Sequence, residues 1–138
     1  MPEIAEVSVA TAADLETVRV LDRHLTQEAL LRKLQRGEVL IACVQGGVVG
    51  CLRFGWFWDE IPFLNLLWVQ ESYRQLGVGR MLVTDWEERM RAEHHSLVLT
   101  STLANEDGQH FWRALGYEDC GALLLPGEVA ELFLRKTL

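Results

Sequence analysis

Proline, cysteine and tyrosine are all scarce in this chain of 138 residues, which holds three, three and two of them. With so little proline and no Ser/Gly-rich tract, nothing reads as a linker, a repeat or a low-complexity segment. One domain is expected across residues 1–138. Cys43, Cys51 and Cys120 are odd in number, far apart and outside any C-x-x-C pattern, which argues against a disulfide framework or a zinc site. They read as thiols in a reducing compartment, and no metal is expected. No apolar run approaches the roughly 18–20 residues of a membrane span. The opening MPEIAEVSVA has neither a basic nor an apolar stretch of the kind that directs export. The expectation is a cytoplasmic protein with no membrane partner. Positive charge is short as well: thirteen Lys+Arg against twenty Asp+Glu leave −7. Such a balance suits a nucleic-acid backbone poorly.

What the chain does have is apolar bulk. Hydrophobic residues make up 49% and charged residues 24%, and a chain of this length buries roughly 68% of its unfolded surface in one core. Ile4–Val9 reads as a first strand. Thr11-Ala-Ala-Asp14 then has a helix-start pattern, a capping hydroxyl with an acid three residues on. Leu15, Val18, Leu21 and Leu25 follow at helical steps. A second helix is expected from Thr26 to Arg36, stopped by Gly37. Val39–Val44 and Val48–Trp58 flank Gln45-Gly46-Gly47 and read as a hairpin. Ile61–Val69 reads as another strand. A helix is expected over Gly77–His94, with Val78, Met81, Leu82, Trp86 and Met90 in one apolar stripe. Leu97–Ser101, a helix over Asp107–Leu115, and strands over Tyr117–Leu125 and Glu131–Thr137 complete the series. This order predicts a mixed α/β sheet.

The most informative segment joins a strand to the long helix: Val69-Gln-Glu-Ser-Tyr-Arg-Gln-Leu-Gly-Val-Gly-Arg80. Gly77 and Gly79 put no side chain over the turn. The unpaired amides of the first helical turn can therefore face outward with the positive end of the helix dipole, which suits a phosphate or pyrophosphate. Arg74 and Arg80 add local positive charge to an acidic protein. A dinucleotide-binding G-x-G-x-x-G would need glycine where Leu82 stands, and no Gly-Lys-Ser/Thr is present. A tight turn with no ligand is the plain alternative.

Arg74-Gln-Leu-Gly77-Val-Gly79 resembles the Q/R-x-x-G-x-G/A signature of the GNAT superfamily of acyl-CoA-dependent N-acyltransferases. Asn105-Glu-Asp-Gly-Gln-His-Phe-Trp-Arg-Ala-Leu-Gly-Tyr117 resembles that family's second motif, at the right distance downstream. The resemblance covers about residues 38–125. It implies a single-domain GNAT fold: a mixed, mostly antiparallel sheet, splayed at a cofactor cleft and flanked by about four helices. It also implies acetyl-CoA as cosubstrate and acetyl transfer to the primary amine of a small molecule or peptide. Carried over by position, the amides of Gln75, Leu76, Gly77, Val78, Gly79 and Arg80 would hold the pyrophosphate. Backbone groups of Leu67, Trp68 and Val69 would pair with the pantetheine arm, and a backbone N–H at Val69 would polarise the thioester carbonyl. Asn105 would hydrogen-bond the arm; the plain alternative for it is a helix N-cap.

Two departures stand out. The family's proton-donating tyrosine falls at Trp112, which cannot act as an acid but can pack against the sulfur end or belong to the core. A glutamate that some members use as base falls at Thr100. The early-strand position that others use is about Phe63, with Asp59 and Glu60 just upstream. Glu60 is the candidate base, and the alternative is a solvated turn. His110 on a helix reads as a surface residue. Neither Tyr73 nor Tyr117 is an obvious replacement donor. Trp56, Phe57, Trp58 and Phe63 beside that acidic turn suit an alkylammonium pocket, plain core packing or a homodimer contact. The rival to an enzyme is a GNAT-like module that binds acyl-CoA as a sensor or interaction domain.

Overall fold

The computed structural model describes residues 5–138; Ile4, the expected start of the first strand, lies outside them with the three residues before it. Among the described residues, seven strands and four α-helices follow the expected order. β1 is Glu6–Val9, β2 Val39–Val44, β3 Gly47–Phe57, β4 Ile61–Val69, β5 Leu97–Leu103, β6 Glu118–Leu123 and β7 Glu131–Thr137. α1 is Leu15–Leu21, α2 Gln27–Gln35, α3 Val78–Ala92 and α4 Gly108–Ala114.

Local signals place most of these boundaries. Thr11 and Asp14 form the expected capping box, with the Thr11 N–H donating to Asp14 Oδ2 at 2.8 Å, although it opens a 3-10 turn that runs on into α1. Thr26 Oγ1 accepts from the Ala29 N–H at 3.1 Å and caps α2. Gln45 and Gly46, at φ 49° and 82°, make the two-residue turn between β2 and β3. Positive φ at both positions matches the right-handed twist of the flanking strands.

The sheet order is β1-β2-β3-β4-β5-β7-β6, and every neighbouring pair is antiparallel except β4–β5. Both faces of its centre are covered, so β2 is apolar throughout rather than alternating. Val39 and Ile41 pack with Val18 of α1 and Leu30 and Leu34 of α2. Leu40 and Ala42 point the other way, into a second cluster with Leu82, Trp86 and Met90 of α3 and Trp112 of α4. A buried ion pair ties the α1 end to the sheet: Arg53 Nε of β3 meets Asp22 Oδ2 at 2.5 Å.

Helix α3 lies close on β3. A Cβ at Gly50 would come 3.1 Å from the Trp68 carbonyl oxygen and 3.2 Å from Leu82 Cδ1. That bare backbone sets the height of the helix start over the sheet. The stripe on α3 differs from expectation at one place: Met81 is exposed, while Val83 and Glu87 are buried. At about 100° per residue, the buried positions 78, 82, 86, 90, 83 and 87 span about half the helix, and residue 81 falls about 60° beyond their edge.

The three cysteines are free thiols with different surroundings. Cys51 is wholly buried; burial above all, with the nearby Asp22 carboxylate, pushes its thiol up to about 12. Cys43 is raised too, first by burial and then by Asp14. Because the thiolate is the reactive form, a thiol reagent near neutral pH should modify Cys120 of the native protein quickly, Cys43 slowly and Cys51 only on unfolding. Simultaneous modification of all three would contradict the packing around Cys51.

Candidate functional site

The site begins where β4 and β5 part. Their pairing holds at Phe63–Leu99 and Leu64–Thr100 and goes no further. Thr100, expected from its sequence position only as a missing base, is buried and donates its hydroxyl to the Leu64 carbonyl at 3.1 Å. It fastens the last point of contact between the two strands. Beyond it, β4 runs on to Val69 with one edge unpaired.

The direction of that edge follows from the ladder. Gln70 N–H donates to the Val49 carbonyl at 2.7 Å, so the next pair, Gly50–Val69, is of the type whose peptide groups point away from each other. The same holds two residues on at Leu52–Leu67. Leu67 and Val69 therefore turn their peptide groups to the split. Trp68, expected beside them, turns its own toward Cys51 of β3 and has no backbone group to offer there. Alternation along a strand forbids three successive residues from serving one edge.

At the mouth of the split, β4 passes through Gln70 and a 3-10 turn, Glu71–Tyr73, into α3. Gln75 and Gly77 have φ 65° and 87°, and this left-handed pair swings the chain into the helix. No acceptor among the described residues takes a hydrogen bond from the amides of residues 75–80. Their partial positive charge adds to the helix dipole at the same place. Arg74 is held rather than loose: its Nε donates to the Val69 carbonyl at 2.8 Å, and its guanidinium lies 6.0 Å from the centre of the Trp68 ring.

Three hollows run from this turn in series. A groove of about 390 Å³ is walled by Leu67, Val69, Arg74, Gly77, Gly79 and Arg80, with Gln75 and Phe111. Gly79 sits in the middle of the core-facing side of α3, where a side chain would close the groove. A Cβ there would lie 3.6 Å from Phe111 Cζ and 3.7 Å from Leu67 Cδ2. Leu67 and Phe111 are shared with a second cavity of about 250 Å³ inside the split, bounded also by Leu64, Thr100, Thr102, Glu106 and Trp112. Asn65 then joins this cavity to a third, of about 270 Å³, whose other walls are Trp56, Phe57, Phe63 and Phe133. A further hollow, about 580 Å³, lies on the outer flank of α3 between Val7 and Glu88. It touches Gly77 and Arg80 but does not reach the split, and Asp85 and Glu88 on its wall would repel an anion.

The sequence of residues 8–117 matches the acetyltransferase (GNAT) family model. The chain belongs to the GNAT family. A curated relative, the Danio rerio protein named "Probable N-acetyltransferase 14", is 36% identical over 96 residues. That match takes in 68% of this chain and 32% of the relative, so the chain spans about a third of the relative's length. Among solved structures, Ard1 from Thermoplasma volcanium superposes with a TM-score of 0.84 at 17% identity, covering 97% of both chains. PaiA N-acetyltransferase from Thermoplasma acidophilum, solved with coenzyme A, gives 0.81 at 15% identity over 98% of this chain and 99% of that one. The GNAT fold of the sheet and helices is thereby shown.

The residues of the second GNAT motif are distributed unevenly. Asn105 is exposed in the turn after β5 and does not cap α4; Asp107 stands at that cap, without a side-chain bond. The turn is instead fastened by Gln109 Nε2, which donates to the Ala104 carbonyl at 2.9 Å and the Glu106 carbonyl at 3.0 Å. Trp112 is both core and wall, edge-on to Phe111 and Tyr117 and exposed to the split cavity. Glu60 lies exposed on the turn between β3 and β4 and walls none of the three hollows. Phe111, Asn65 and Thr102 were not singled out by sequence, and nothing in their residue types marks them; only strand register and helix placement bring them together.

Tyr117 is out of reach of the split. Its hydroxyl donates to Glu87 Oε2 at 2.7 Å, and Lys136 Nζ holds Glu87 Oε1 at 3.0 Å. Burial and the Glu87 carboxylate push the phenol far above its ordinary range. It locks α3 to the α4–β6 corner and donates no proton to a reaction. Tyr117→Phe should cost about 1–3 kcal/mol in urea unfolding, because a buried carboxylate oxygen loses its donor. Acetyl-CoA affinity of the folded variant should be unchanged; a large change would contradict the structural role.

Proposed function

We propose that this protein is an acetyl-CoA-dependent N-acetyltransferase acting on a primary amine. One observation carries the reading: the amides of residues 75–80 lack acceptors among the described residues, and Gln75, Gly77, Gly79 and Arg80 line a groove that leads into the split between β4 and β5. The residues present fit the cosubstrate. The amides of Gln75, Leu76, Gly77, Val78, Gly79 and Arg80 would hold the diphosphate, with Arg74 and Arg80 neutralising its charge. The bare face of Gly79 leaves width for the pantetheine arm, and the peptide groups of Leu67 and Val69 would pair with it as an added strand does. Asn105 would bond the arm from the far side of the split.

The bound cosubstrate would supply an activated acetyl thioester, whose thiolate leaves readily because a thiol titrates near 8.5. The residues then have three tasks. An N–H of β4 polarises the thioester carbonyl. Val69 is too close to the loop for this, with its carbonyl already holding Arg74 at the diphosphate end. Leu67 lies two residues further in, about 7 Å along the strand, and its N–H takes that role. Glu60 would collect the amine's proton through solvent from its exposed turn. Nothing replaces the proton donor that Trp112 displaces, and a positioned acid is worth about 10²–10⁴-fold. The enzyme should therefore be slow rather than inert. A specific observation, that same tryptophan, favours the second reading: an acyl-CoA sensor that binds without turnover. The three free thiols suit a cytoplasmic setting.

Gly79 separates cofactor binding from stability. Gly77 is the poorer probe, since any side chain is strained at φ 87°. Gly79 is helical, where alanine is about 1 kcal/mol better than glycine. Gly79→Ala should keep or raise the Tm of the free protein while weakening acetyl-CoA binding at least tenfold. For the parent, acetyl-CoA at about 100 times its Kd should add roughly 2.7 kcal/mol, a rise of several degrees in Tm. Loss of thioester absorbance with an amine present then decides enzyme against sensor. Equal affinity in Gly79→Ala would refute the groove as the cofactor site.

A further inference from the structure

The third hollow has a chemistry of its own. Phe57 and Phe63 stack with ring centres 6.3 Å apart, and Phe133 meets Phe63 edge-on at 5.6 Å. Trp56 and Asn65 complete the wall, and no carboxylate borders it. Beside it, Trp58 packs on Phe57 with ring centres 4.8 Å apart yet remains 75% exposed. Trp58 also holds φ 57°, and Asp59 after it φ 59°. A bulky side chain in the left-handed region is an outlier where glycine or asparagine would sit without strain. The contact with Phe57 leaves most of the indole exposed, and strain of this sort collects at sites of function.

We propose that this hollow is the acceptor subsite and that it selects a primary amine carrying an aromatic ring one or two carbons from the nitrogen. The inference rests on the acetyltransferase reading above. An apolar cavity of about 150 Å³ is enough for benzene. One of about 270 Å³ therefore has room for a ring and a short linker. The aromatic faces attract the ring by packing and the ammonium by cation–π attraction. Asn65 decides where the nitrogen goes. Arg53 pairs with Leu66 and Phe54 with Leu64, so Asn65 is the extra residue of a β-bulge, a feature that re-aims a side chain. Among the described residues it is the one wall common to the aromatic hollow and the split. Its Nδ2 rests over Gly55 near Lys33 Nζ, and in the proposal its Oδ1 accepts a hydrogen bond from the amine. The ammonium gives up one proton to solvent, the neutral amine forms a C–N bond at the acetyl carbon, the C–S bond breaks, the nitrogen loses its second proton to water, and the thiolate takes a proton from water. Trp58 is not one of the hollow's walls, but its ring packs on Phe57, which is, and in the proposal it extends the aromatic surface that the amine meets.

The test uses phenethylamine and an N-terminal phenylalanyl peptide amide as the two sources of this chemistry, with spermidine and a lysyl side-chain amine as contrasts. Binding is read by tryptophan fluorescence without cofactor, and turnover with acetyl-CoA. The proposal expects the aromatic amines to bind and to be acetylated at least tenfold better in kcat/KM than the contrasts, and the better of the two arms names the source. Trp58→Gly should raise Tm by about 3 °C as strain is relieved, and raise KM about tenfold with kcat little changed. Asn65→Ala should lower kcat about tenfold or more with KM nearly unchanged. Equal use of spermidine, or Trp58→Gly without effect on KM, would overturn the proposal. So would conversion of a dimer to a monomer by Trp58→Gly with no loss of amine binding, since the patch would then be an interface. Absence of acetyl-CoA binding alongside intact aromatic-amine binding would overturn the acetyltransferase reading and leave the subsite standing.

Discussion

Two residue pairs hold β4 to β5, and the Thr100 hydroxyl on the Leu64 carbonyl marks where they let go. Were the parallel ladder to continue, Leu67 and Val69 would spend their peptide groups on β5, and the cavity between the strands would not exist. The split has to be held open from both sides. Gly50 lets α3 settle on β3, so the turn at residues 75–80 meets the end of β4. On the other side, Tyr117 and Lys136 grip Glu87 and keep α4 and β7 joined to α3. The first amides of a helix lack intrahelical partners, and here they stand beside an open strand edge, an arrangement suited to a ligand with groups to match.

Charge follows the same economy. The protein carries −7 overall, yet its amide-lined turn presents main-chain dipoles and two arginines to one groove. The acidic residues near it, Asp85 and Glu88, line the outer flank of α3 instead. An anionic cosubstrate would be drawn to that groove. Of the residues that wall the second and third hollows, one is a carboxylate, Glu106; the others include Trp112, Thr100, Asn65 and four phenylalanines. Such a site works by holding reactants in register more than by moving protons, which accounts for a proposed enzyme that is selective and slow.

Much of this was legible from residues that act locally. A capping threonine, a Gln-Gly turn and two glycines at a helix start each force a backbone conformation on their neighbours, and among the described residues the expected helices and strands appear near their predicted limits, except that the first helix ends at Leu21 and leaves Leu25 outside it. Arg74, Gly77, Gly79 and Arg80 stand together at the groove, while Val78 between them is buried in the core. What escaped was set by partners distant in sequence. The bulge at Asn65 exists only in the register of β4 against β3. Phe111 becomes a wall because α4 packs opposite the gap left by Gly79. Trp68 drops out because the ladder phase, invisible in a single strand, turns its peptide group to β3. Glu60 looked close to the chemistry along the chain, but it stands on a turn outside the three hollows. Met81 lies three residues after Val78 and still misses the buried face by a fraction of a turn.

The central claim concerns the amides of residues 75–80, and backbone NMR reads them directly. Titration of the isotopically labelled protein with coenzyme A should shift the N–H signals of Gln75 to Arg80 in a saturable way, together with Leu67 and Val69 and largely without Trp68. If coenzyme A binds while those amides stay still, and the shifts gather instead around Val7, Thr84 and Glu88, the outer flank of α3 holds the ligand and the account is contradicted.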